Sequence, residues 1–155
     1  VNIQDRKKRN ALMYACHNRY GYYKDIVVSL LNNSNIDVNL KDIEGDTALI
    51  ITCRNGYKEY VKLLLLHNDV NVNIQNNKSY TALMYACHIK QPEIVELLLN
   101  HSNINVNICD RYGKPAIIHA VENRFMDSAE LLLNYYGINL NLKIMNGCTV
   151  LLYAC

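Results

Sequence analysis

TALMYAC at residues 81–87 has four relatives within the same chain: NALMYAC at 10–16, TALIITC at 47–53, PAIIHAV at 115–121 and TVLLYAC at 149–155. Their starts differ by 37, 34, 34 and 34 residues. Self-similarity at a fixed period of this size is the mark of stacked supersecondary units, each unable to bury its apolar face alone. A second series keeps the same register. Asn39, Asn73, Asn107 and Asn141 each follow Val or Leu at a spacing of 34, and Asn2 after Val1 joins them. The one longer interval needs three extra residues, which fall near Arg19 to Tyr22 as a loop insertion between the two helical stretches of the first unit.

Around the repeated phrase, each unit has the same parts. DIEG at 42–45 and DRYG at 110–113 place Asp first and Gly fourth, as a type I turn prefers. A short helix follows, and Thr47, Thr81 and Thr149 stand just before its first apolar residue, where a hydroxyl satisfies an orphan amide for about 1 kcal/mol. Pro115 cannot do this. A second helix is predicted over 24–32, 58–67, 92–101 and 126–135; EYVKLLLL and PEIVELLL carry the wide apolar stripe of a core-facing helix. Pro92 suits a first turn. A left-handed residue is expected at each second-helix end: Gly137 in the fourth unit, and Asn or Ser near 33, 68 and 102 in the others.

Composition agrees with one compact unit. The 155 residues are 50% hydrophobic and 19% charged, which excludes disorder and collagen. A chain of this length buries about 68–70% of its unfolded surface and needs no disulfide or metal to hold a core. Sixteen Lys and Arg against fourteen Asp and Glu give a net charge of +2, too balanced to argue a nucleic-acid or membrane partner from bulk charge. Apolar runs such as Leu63 to Leu66 fall far short of the roughly 20 residues a membrane span requires. No targeting pattern follows Val1.

The turn, the TALMYAC-type phrase, the VxxLL-type second helix and the return segment ending in Asn together resemble an ankyrin repeat array, over essentially the whole chain. The resemblance implies an all-α solenoid of stacked helix-turn-helix units with short β-turn fingers. Units begin near 10, 47, 81 and 115, with a partial unit from 149, in a single array over 1–155. Both terminal units are partial, so the chain is expected to be a piece of a longer array or to be shielded by another chain. Two departures from the family pattern stand out. The family's Pro is Ala11, Ala48, Ala82, Ala116 or Val150 here, and its His, which usually ties neighbouring turns, is Met13, Ile50, Met84, Ile118 or Leu152. The fingers are therefore expected to be held more by packing.

The resemblance also implies a use, the binding of another protein along the concave face and finger tips. A helical wheel stepping about 100° per residue puts Leu12, Ala15 and Cys16 inward and Tyr14 and His17 outward. Carried through the units, it predicts an exposed ladder of Tyr14, Ile51, Tyr85, His119 and Tyr153, flanked by His17, Arg54, His88 and Glu122. At 8–10 Å per helix the groove runs to about 35 Å. The tips add Arg6, Lys7 and Arg9; Ile43, Glu44 and Asp46; Asn77, Lys78 and Tyr80; and Arg111, Tyr112 and Lys114. Tyr and Arg are favoured at interface hot spots, which centres the expected site on Tyr85, Tyr112 and Arg111. Set against this, exposed Tyr also follows from a chain with twelve of them.

Chemistry finds little purchase. Cys16, Cys53, Cys87 and Cys155 share one repeat position as small buried hydrophobes, too far apart to pair, and reduced thiols favour the cytoplasm, with the nucleus open. Cys109 and Cys148 are expected nearer the surface. Cys16–His17 and Cys87–His88 point opposite ways on the wheel, so no metal is expected. His119 and Glu122, three apart, read as a surface contact rather than a base with its carboxylate. No phosphate-cradling Gly loop, GxSxG or HExxH occurs, so neither catalysis, a cofactor nor a small-molecule substrate is expected. RKKR at 6–9 reads as solvated charge, an import signal or a contact for an acidic partner, and the acidic second tip argues against nucleic acid. The expected function is a non-catalytic protein-interaction module. The alternatives are the recruiting arm of a larger enzyme, such as a kinase or ubiquitin ligase, and a structural spacer.

Overall fold

A computed structural model describes residues 1–18, 23–144 and 147–154. Among these residues are nine helices and no strand, the all-α architecture that the repeats predict. The first helices of successive units are α1 (Ala11–His17), α3 (Ala48–Asn55), α5 (Ala82–Ala86), α7 (Ala116–Glu122) and α9 (Val150–Ala154). The second helices are α2 (Lys24–Leu31), α4 (Lys58–Leu65), α6 (Pro92–Leu99) and α8 (Met126–Leu133). Each first helix packs on its own second helix where there is one, and each layer packs along itself from unit to unit. Leu12, Cys16, Leu49, Cys53, Leu83, Cys87 and Ile117 are sealed against Val27, Val61, Leu64, Val95, Leu98 and Leu132. The loop insertion expected near 19–22 lies outside the described residues, as does Cys155.

Local chemistry starts the helices, except that Pro115 gives α7 no side-chain cap. Thr47 and Thr81 hydroxyls accept from the amides of Ile50 and Met84 at 3.3 and 3.2 Å, and Thr149 from Leu152 at 3.3 Å. In the first unit Asn10 does the same for Met13 at 2.9 Å. Second helices lack a side-chain cap but carry Asp25, Glu59, Glu93 and Asp127 in their first turns, where a negative charge complements the helix dipole.

Their far ends differ from expectation. Asn32, Leu66, Asn100 and Asn134 cap them in the right-handed region, and none of the residues near 33, 68, 102 or 137 has positive φ. The orphan carbonyls are met instead by tightened turns. The amides of Asn33, His67, His101 and Tyr135 reach back to Leu30, Leu64, Leu98 and Leu132, each at 3.1 Å. Left-handed backbone occurs just after two first helices, at Gly56 and Arg124, and otherwise in the fingers. Their fourth residues, Lys8, Gly45, Ser79, Gly113 and Gly147, have φ of +56°, +78°, +65°, +74° and +81°. Each finger is closed by two backbone bonds; in the second, the Gly45 amide donates to Asp42 and the Asp42 amide to Asp46, both at 2.9 Å.

Hydrogen bonds rather than packing alone join finger to finger, which corrects the expectation drawn from the missing family His. The Ile43 amide donates to the Lys7 carbonyl at 2.9 Å, and the Asn77 amide and side chain to the carbonyls of Glu44 and Ile43 at 3.0 and 2.9 Å. Met13, Ile50, Met84 and Ile118, standing where the family has that His, are buried.

The Asn series gives a second tie. Asn39 donates through Nδ2 to the Asp69 carbonyl at 2.7 Å and accepts the Asn71 amide at 2.9 Å. Asn73 repeats this with Asn103 and Asn105, Asn107 with Gly137 and Asn139, and Asn2 with Asn35 and Asp37. Each such side chain therefore satisfies one carbonyl and one amide of the following return segment.

Candidate protein-binding face

The first-helix layer and the fingers share one face, and the expected ladder lies there. Two of its rungs are not exposed: Ile51 is 1% and His119 2% accessible. The wheel treats a helix as flanked by solvent on its far side. Here every residue of α3 from Ala48 to Cys53 is buried, since neighbouring first helices, α4 and the fingers surround it. A helix apolar all round belongs inside. His119 is covered from the third finger, whose Tyr80 ring lies edge-on to it with centroids 4.9 Å apart.

The polar rungs brace the fingers. Tyr14 donates its hydroxyl to Asp5 at 2.7 Å, Tyr85 takes an Asn76 amide hydrogen at 3.1 Å, and His119 Nε2 lies 3.2 Å from Asp110 Oδ2 without hydrogen-bond alignment. In all three the rung stands nine residues after the first residue of its own finger. Those first residues also hold their turns together; Asp110 Oδ1, for example, accepts the amides of Tyr112 and Lys114 at 2.8 and 2.9 Å. Ile51 cannot reach out in this way, and in its unit Asp42 Oδ2 faces Arg9 Nε from the preceding finger at 3.8 Å.

Several expected contact residues are therefore occupied within the chain. Arg54 pairs with the buried Asp46 and lies 5.8 Å from the Tyr85 ring centroid, while Asn76 donates to Asp46 at 2.7 Å. Tyr80 packs edge-on to half-buried Tyr85 with centroids 5.3 Å apart. Arg111 donates to the Asn77 carbonyl at 3.0 Å. Lys114 pairs with Glu122, which also accepts from Tyr153 at 2.6 Å. Burial pushes the Glu122 carboxyl up, but the hydrogen bonds from Lys114 and Tyr153 outweigh it and hold the group below its ordinary range. His88 is exposed, with Nδ1 3.2 Å from the Asn123 amide, and His17 is exposed at the end of α1. Free for contact are Tyr14, 52% accessible although its hydroxyl is used, and Tyr112, 55% accessible at its finger tip. Asn76 and Asp110 were not visible as site residues in a single helix wheel; the nine-residue spacing between finger and rung is the signal that pairs them with the face.

Cys16 and Cys87 point inward while His17 and His88 face solvent, the geometry that separates them as ligands. Burial pushes the Cys16 thiol up to about 12 and those of Cys53 and Cys87 further, so all three stay protonated at neutral pH. Cys109 and Cys148 are half-buried.

Burial also depresses the basicity of His119; Asp110 and Glu122 pull it up, and His88 and Lys114 push it down. In the unfolded chain this imidazole titrates near 6.5. As pH falls below about 6.5 the unfolded state binds the proton first, so stability present above that pH is lost on acidification until the folded state titrates too. The melting temperature is expected to fall between about pH 7.5 and pH 5.5, and to fall less in His119→Gln, which carries no titrating imidazole. An equal fall in both proteins would assign the pH dependence to other groups.

A family model described as ankyrin repeats (3 copies) matches residues 1–76 and 63–144. No curated protein matches the chain.

Proposed function

The chain belongs to the ankyrin repeat family, whose members are in general protein–protein interaction modules and typically non-catalytic, and from that premise we propose that it is a non-catalytic module binding a partner protein across its finger-and-first-helix face. The observation that carries the reading is the pair of tyrosines left accessible there. Tyr14 and Tyr112 present broad, amphipathic rings on a surface whose other polar groups are largely engaged within the chain. Large rings with few rotatable bonds give contact area at low entropic cost. Tyr85, though on the same face, is a poor probe, because its hydroxyl and ring belong to the Asp46–Arg54–Asn76 network. No described helix is long and apolar enough to cross a membrane. Reduced, buried thiols suit a cytoplasmic setting, which is part of this proposal.

The test is affinity capture from native extract with the parent chain and a Tyr14→Ala/Tyr112→Ala variant. Selective partners are expected to be lost, by about tenfold or more, while the melting temperature shifts by no more than about 3 °C. Undiminished capture by the variant would remove this face from the binding reaction.

A further inference from the structure

Three side chains of the basic cluster at 6–9 have no task in the braced network just described; the fourth, Arg9, faces Asp42. Several other cations on the fingers and return segments are engaged: Lys41 donates to the Gln75 carbonyl at 2.9 Å, Arg111 ties two fingers and Lys114 pairs with Glu122, while Lys78 stands exposed on the third tip with no ion pair among the described residues. Arg6, Lys7 and Lys8 are exposed, and none forms an ion pair among the described residues. We propose that the first finger docks an acidic peptide segment of the partner protein, with Arg6, Lys7 and Lys8 meeting its carboxylates and Tyr14 and Ile43 its apolar side chains.

Three observations support this choice. Charge complementarity is the first: three unpaired cations on one turn attract an acidic segment and speed its encounter. Second, Lys8 holds a left-handed backbone where three of the five fingers have Gly, so this finger carries a long cationic side chain despite a conformational penalty. Third, apolar surface lies alongside and is fixed in place. The bond from the Ile43 amide to Lys7 brings the 54% accessible Ile43 against the cluster, and the bond from Tyr14 to Asp5 anchors the ring to the same finger. A preorganised mixture of this kind loses little freedom on binding.

The geometry disfavours the other readings of the cluster. The turn is closed by the Lys8 amide on Asp5 at 2.8 Å and the Asp5 amide on Arg9 at 3.0 Å, so these residues cannot be read as an extended strand without opening it. Exposed Glu44 on the adjacent finger interrupts a track for phosphates.

This inference rests on the protein-binding reading, and its experiment separates the two. Displayed random peptides are selected on the chain, and the best is labelled and titrated against the parent and an R6E/K7E/K8E variant, with R6Q/K7Q/K8Q as a milder second variant. Peptides rich in Asp and Glu beside an apolar residue are expected. Their affinity should fall at least about tenfold in the reversed variant, about threefold in the neutral one, and several-fold as salt rises from about 0.05 to 0.2 M. The variants should melt within about 3 °C of the parent, because the altered side chains are solvated. Peptides that bind both variants as well as the parent would overturn the acidic-segment proposal and leave the protein-binding reading standing. Recovery of no peptide would overturn both, and tighter binding of a 20-nucleotide single strand than of any peptide would replace the proposal with a nucleic-acid one.

Discussion

Gly45→Ala is expected to destabilise the chain by about 3 kcal/mol, lowering the melting temperature by roughly 6–12 °C. Two costs add. At φ +78° the backbone is left-handed, which a residue with a Cβ adopts at a penalty of about 1 kcal/mol. The new carbon would also stand 2.5 Å from Asn77 Oδ1 and 2.7 Å from its backbone nitrogen, so the third finger must move. That movement breaks the bonds from Asn77 to Glu44 and Ile43, at about 1 kcal/mol each. Gly147 is the built-in control: it has φ +81° and nothing within 4 Å, so Gly147→Ala should show the conformational cost alone. Thermal melts of both variants decide the matter. Equal losses would mean that the contact between fingers contributes nothing.

Leu98→Ala is the second large expectation, at about 2–5 kcal/mol. This side chain is fully buried in α6, which packs against α4, α8 and α5, so truncation leaves a cavity in the core. In an array whose stability is a sum of nearest-neighbour interfaces the damage should be local. Amide exchange is expected to accelerate in α6 and in the flanking α4 and α8, while α2 keeps its protection. Uniform acceleration through α2 would show instead that the units unfold as one.

What could be read in the sequence follows from the same locality. The period, the two helices per unit and the inward Cys16, Cys53 and Cys87 depend on neighbours along the chain, and spacing alone reveals them. Burial of Ile51 and His119 depends on what other units lay over a helix, which no wheel of a single helix contains. The left-handed residues were looked for at second-helix ends and lie in the fingers and, at Gly56 and Arg124, just after first helices, because a tightened last turn already satisfies the second-helix carbonyls. Of the expected contact residues, Tyr14 and Tyr112 remain accessible, whereas Arg54, Tyr85, Lys114 and Glu122 are bound up in contacts with residues from other parts of the chain. The rhythm of Asn2, Asn39, Asn73, Asn107 and Asn141 was plain, but its reason was not, since Asn39, Asn73 and Asn107 find their carbonyl and amide 30 and 32 residues ahead, and Asn2 finds its own 33 and 35 ahead.

Those offsets bear on how such a chain can change its length. Every block carries both the Asn that reaches forward and the loop that receives the Asn behind it, so copying or deleting a whole block regenerates a complete junction at the seam. The longer first block shows that extra residues between donor and receiver are tolerated, because they slide the two ends along the chain without altering how they meet. Editing in units of 34, or within the bend between paired helices, is thus nearly free of side effects. A single residue slipped in between an Asn and its finger would instead shift that finger against its neighbours, while the later junctions keep their own spacing.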